Sequence, residues 1–165
     1  MLHPVVRRTW APRGQTPTLR CWHRHDRLSV VAAITVSPRH HRLELWFDLH
    51  RHNLRTDDVL AFLQTLRHHR RHLLVVLDRW SVHRVAVRQL LARNPRTVQV
   101  EWLPAYAPDL HPVERVWAHT NYADLANYLP DDLDAVTAAV THSLAANRTE
   151  QTLLRAFFTH AGLDL

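Results

Sequence analysis

The sequence predicts an α/β protein in which a mixed sheet carries helices on its faces. Three observations predict it. Short β-branched and apolar segments dominate the first third, apolar runs then alternate with stretches of 3–4 apolar spacing, and helical segments close the chain.

Taken in order, Arg20 to His25 and Leu28 to Ser37 read as two strands. The second is rich in Val, Ile and Ala, and Ser37-Pro38 ends it. Leu43 to Asp48 alternates in part and reads as a third strand. Thr56-Asp57-Asp58 supplies an N-cap and first-turn acids for a helix whose Val59, Phe62, Leu63 and Leu66 share one face. Leu73 to Leu77 is a continuous apolar run, which predicts a strand buried on both faces. Ser81 is the expected cap of a helix from about Val82 to Arg93, stopped by Asn94-Pro95. Val98 to Leu103 is a further strand, and Pro112 suits the first turn of a helix running past Trp117. Helices near Leu133–Ala146 and Gln151–His160 follow, with Gly162 as the stop. Strands close in sequence form antiparallel hairpins, whereas a strand–helix–strand unit requires a parallel crossover. Hence the sheet is expected to be mixed.

One domain accounts for 165 residues, and 46 % apolar content is enough for a core. No run approaches the roughly 18 apolar residues of a membrane span, and no signal peptide is legible. The single cysteine, Cys21, cannot form an internal disulfide and fits a reducing compartment. All 21 basic residues are arginine. Residues 1–96 hold 18 Arg against 6 acids, a net of +12; residues 97–165 hold 3 against 9, a net of −6. A basic portion of that size attracts phosphate, because each neutralised phosphate releases counterions.

Ligands in such sheets sit at the carboxyl ends of parallel strands, and the residue there is Asp78. That segment alone fits a turn or cap aspartate equally well. Glu114 lies in a second unusual stretch. Pro104, Pro108 and Pro112 stiffen the loop between a strand and a helix, and Glu114 opens that helix. A first-turn acid favours the helix dipole, but a rigid loop that delivers a carboxylate toward a strand end is also what a metal site needs.

Leu77-Asp78 followed by His83, then Leu103-Pro-Ala-Tyr-Ala-Pro-Asp-Leu-His-Pro-Val-Glu114-Arg-Val-Trp117, resembles the end of the catalytic domain of IS630/Tc1/mariner DDE transposases. Arg8-Thr-Trp-Ala-Pro-Arg-Gly-Gln-Thr-Pro17 resembles the tryptophan–glycine hairpin near that domain's start, and 35 residues separate Asp78 from Glu114, as in the family. The resemblance implies an RNase H-like mixed sheet flanked by helices, with its first strand partly or wholly missing. It implies metal-dependent cleavage and strand transfer at transposon ends, with Asp78 and Glu114 as catalytic and metal-binding carboxylates. The cofactor implied is Mg²⁺ or Mn²⁺, two ions in a complete site. The partner is DNA; a homodimer and a cytoplasmic, nucleoid-associated location go with it. Arg13, Arg79, His83 and Arg115 lie in or beside the motifs and are the candidate DNA contacts.

Departures from the family pattern bear on activity. His111 stands where asparagine is usual, and Asn121 where a lysine is common. The family's first aspartate lies on the opening strand, ahead of the tryptophan–glycine hairpin, and no acid precedes Asp26 here. A non-catalytic DNA-binding or inhibitory remnant is therefore the alternative reading. The proline-rich motif before Glu114 argues against an unrelated RNase H-like nuclease. Fifteen histidines invite a zinc reading, at His68 with His72 on one helix face or at His23 with His25. Without a cysteine pair or nearby acid, and with arginine-rich flanks, that reading is set aside.

Overall fold

In the computed structural model the described residues are 7–8, 10–15, 27–105 and 107–164. The strand expected over Arg20–His25 lies outside them. Strand β1 (Ser29–Val36) and strand β2 (Leu43–His50) form an antiparallel hairpin in which Ser29 faces His50 and Val36 faces Leu43. Helix α1 (Thr56–His69) leads to β3 (Leu73–Leu77), helix α2 (Ser81–Arg93) and β4 (Val98–Trp102). β3 and β4 pair in parallel, Leu73 beside Val98. Helices α3 (Pro112–His119), α4 (Leu133–Ala146) and α5 (Gln151–His160) follow. A π-helical turn, Thr120–Asp124, extends α3.

Successive strand residues point to opposite faces, and the hairpin uses both. Val31, with Ala33 and Trp46 beside it, joins α1, α2, β3 and β4 in one core built on Leu63, Leu66, Leu77 and Leu90. Leu43 and Leu45, with Val30, Ala32 and Ile34, pack on Val116, Val140, Leu144, Leu154 and Phe157 of α3, α4 and α5. The hairpin is thus the shared layer between two helical layers. A second tie is polar: Ser143 Oγ donates to Asp124 Oδ2 at 2.6 Å and lies 3.2 Å from Thr120 Oγ1, joining α4 to the π turn.

Two expectations change. Both kinds of pairing occur, but among the described residues they form two separate two-stranded ladders. Between the ladders lies a groove of about 1180 Å³. It touches every residue from Val31 to Val36 and from Leu73 to Leu77. Only a strand's edge borders consecutive residues, since a face meets alternate ones. So the groove runs between the edges of β1 and β3 that pair with no other described strand. The far edge of β2 is covered instead: Leu45 N donates to Arg148 O at 2.9 Å, and the Gln151 amide bonds both main-chain groups of Leu43 at 2.9 and 2.7 Å. Nor is β3 buried on both faces. Leu73, Val75 and Leu77 face the core, but Leu74 is 59 % and Val76 50 % exposed. A continuous apolar run shows that both faces tolerate burial; it does not say whether an element covers the second one.

Candidate active site and basic surface

The apolar run of β3 ends at buried Leu77, whose carbonyl accepts from Leu103 N at 2.9 Å. That bond keeps β4 paired up to the level of Asp78. Asp78 Oδ1 accepts from Trp80 N at 3.0 Å and lies 2.6 Å from His83 Nδ1, in the first turn of α2. The Trp80 ring stands edge-on against His83, centroids 5.2 Å apart, and limits its rotation. Burial alone would raise the Asp78 pKa; the Trp80 amide, the His83 hydrogen bond and the charges of His83 and His111 outweigh it and hold it below the usual carboxylate value. Asp78 is therefore ionised at neutral pH, with Nδ1–H of His83 as its donor.

Glu114 is set by the proline-stiffened loop. Pro108–Leu110 makes a 3₁₀ turn, and His111 N donates to Pro108 O at 3.0 Å. His111 is the N-cap residue of α3 and Pro112 its first helical residue. Val113, Val116 and Thr120 are the buried positions of α3 and its extension, which leaves Glu114 exposed. His111 links the two segments. Burial lowers its pKa; the Glu114 and Asp78 carboxylates act the other way without prevailing, and His83 adds to the lowering. The carboxylates at the end of β3 and the start of α3 thus act on one imidazole, which is neutral at pH 7. His83, His111 and Pro112 also line the groove between β1 and β3.

Of the other candidates, His83 is engaged with Asp78. Arg115 pairs with Asp109 at 3.6 Å, so its charge is partly offset. Arg13 is exposed in a turn at Gly14 (φ 84°), closed by Gln15 N donating to Pro12 O at 3.0 Å. The structure does not bring it to the carboxylates through any described contact. Arg79 is exposed and lines a shallow hollow of about 380 Å³ with Arg84, Arg88 and Trp102. Arg84 and Arg88 were not anticipated from the sequence. Their spacing of four on a helix that starts three residues after Asp78 was the available signal. The zinc pairing of His68 with His72 fails, because α1 ends at His69.

Comparison with known proteins identifies the family and the fold. The family model for the DDE superfamily endonuclease matches residues 1–137. No curated protein matches the chain. Among solved structures, the crystal structure of the Mos1 strand transfer complex is similar, with a TM-score of 0.59 and 17 % identity. That match covers 98 % of this chain and 48 % of the other, so this chain spans about half the length of that relative. The likeness is one of fold, small sheets flanked by helices in the RNase H-like arrangement. With most of its length matched by the family model, the chain belongs to the DDE superfamily endonucleases.

Proposed function

We propose that this chain is the catalytic core of a DNA transposase of the IS630/Tc1/mariner type, cleaving and joining DNA strands at transposon ends with divalent metal. The observation that carries the reading is that Asp78, at the end of β3, is held by Trp80 N and His83, while the proline-stiffened loop presents Glu114 exposed in the first turn of α3. A fold-level likeness to a protein crystallised in a strand transfer complex supports the substrate class.

The residues fit the metal on their own chemistry. Magnesium takes oxygen ligands and keeps water or phosphate in its remaining positions. Asp78 is an ionised carboxylate, half exposed, whose Oδ1 takes both of its described hydrogen bonds, which leaves Oδ2 as the oxygen for a cation. Glu114 is exposed across His111. A pair of such ions, when bound, activates the attacking oxygen and stabilises the leaving one. The chain's own contribution is positional. His83 fixes the rotamer of Asp78, neutral His111 adds no charge to repel a cation, and Arg79, Arg84 and Arg88 hold phosphate beside the strand end. A third carboxylate would offset the charge of two ions; we place it on an extended segment entering the groove between the β1 and β3 edges. Transposon ends and target are the DNA partners, the homodimer is the working form, and the bacterial cytoplasm is its place of action.

The test is nicking of plasmid DNA with Mg²⁺ or Mn²⁺ by the protein and by its Asp78→Asn and Glu114→Gln variants. We expect cleavage that each substitution abolishes. Cleavage that survives both substitutions would refute the assignment.

A further inference from the structure

We propose that His50, His52 and Asp58 form a zinc site, distinct in sequence and ligand chemistry from the Asp78–Glu114 pair. β2 ends at His50, and α1 carries Asp58 in its first turn. The intervening loop folds these residues together, with one ligand atom from each inside a sphere where all lie within 4.8 Å of one another.

The distances suit a metal better than they suit hydrogen bonding. His50 Nδ1 lies 3.7 Å from Asp58 Oδ1, and His52 Nδ1 lies 3.7 Å from Asp58 Oδ2. Both exceed a hydrogen bond. Zinc bonds to nitrogen and oxygen are about 2.0–2.1 Å, so ligand atoms of a tetrahedral site stand about 3.3–3.4 Å apart. The group spans at most 4.8 Å, so side-chain rotations that draw its widest pair in by up to about 1.4 Å close the site. Imidazole nitrogen favours zinc over magnesium.

The far side of His50 supplies a second, independent observation. Its Nε2 is buried, has no hydrogen-bond partner among the described residues and lies 3.5 Å from Asp48 Oδ2. Metal on Nδ1 would make Nε2 the protonated nitrogen, 3.5 Å from a carboxylate that a small ring rotation would engage. That carboxylate–histidine–metal series is the usual way a ligating imidazole is oriented. Asp58 is held as well, its Oδ2 accepting from Arg55 N at 2.7 Å. The arginine between the two histidines does not oppose a cation, because Arg51 pairs with Asp134. One bond is given up: His52 Nδ1 lies 2.9 Å from Asn53 O and cannot both donate there and ligate. Three protein ligands leave a fourth position for water, and the ion would fasten the end of β2 to the start of α1.

The experiment is titration of the metal-free 165-residue chain with Zn²⁺ against a competing chromophoric chelator, repeated with Co²⁺ for its visible tetrahedral bands. We expect one tight saturable site that gives the tetrahedral bands, apart from any weaker binding at Asp78 and Glu114. His52→Ala, at a half-exposed position where folding is not at risk, should weaken it at least 10-fold and abolish the bands. Asp48→Asn should weaken it about 10–100-fold through His50. His72→Ala and Glu101→Gln should leave it unchanged. Absence of saturable binding, or binding indifferent to both His52→Ala and Asp48→Asn, would overturn the proposal.

Discussion

His83 Nδ1 sits 2.6 Å from Asp78 Oδ1, so a helix-start histidine, rather than solvent, orients the carboxylate at the end of β3. The first prediction follows from that contact. His83→Ala should weaken divalent-ion binding about 10–100-fold, the usual cost of losing a residue that orients a ligand. His83→Asn, which keeps a donor, should restore part of the loss. Mn²⁺ titration of the three proteins checks this, and equal affinities would remove His83 from the site.

The arginines of the hollow beside Trp102 should act as phosphate contacts. Replacing Arg79, Arg84 and Arg88 by alanine should weaken duplex binding alike for all sequences. Each substitution should lower the slope of log affinity against log salt by roughly one. Arg115→Ala should change it less, because Asp109 already offsets that charge. Binding isotherms between low and physiological salt give the answer.

Acid should destabilise the metal-free protein in two stages. The pKa of His111 is lowered on folding, so the unfolded chain takes the proton first once pH falls below about 6.5. Stability is then lost from that point downward. The Asp78 pKa is also lowered, so its contribution is intact above the unfolded value of about 3.9 and is lost as pH falls through the folded one. Melting temperatures in EDTA from pH 8 to pH 3 should show both stages. His111→Gln should remove the first and Asp78→Asn the second.

Packing gives a contrast between two apolar residues. Leu144 is fully buried between α3, α5 and the hairpin, and Leu144→Ala should cost about 2–5 kcal/mol. Val76 is half exposed on β3, and Val76→Thr should stay within about 0.5 kcal/mol. A large loss at Val76, measured by denaturant unfolding, would mean that something covers the outer face of β3.

Periodicity made the elements legible. The bounds read for Leu73–Leu77, and the helices near Leu133–Ala146 and Gln151–His160, coincide with those observed. Caps were less legible: Ser81 is the first helical residue rather than the cap, and Asp78 serves Trp80 N from two residues upstream. Asp78 and Glu114 stood out because an apolar run and a proline-stiffened loop each end on an acid. The contact of Asp78 with His83 Nδ1 depends on how α2 starts after β3, which no local pattern carries. The same holds for His50, His52 and Asp58, whose spacing follows neither a strand nor a helix because the group spans the junction between them.

Mn²⁺ binding followed by electron paramagnetic resonance tests most directly whether Asp78 and Glu114 hold an ion in common. The titration compares the native chain with Asp78→Asn, Glu114→Gln and the double variant. Groups on one ion are coupled, so each single substitution should remove most of the affinity and the double variant should lose little more. Additive losses, or binding unchanged in both single variants, would contradict a shared site.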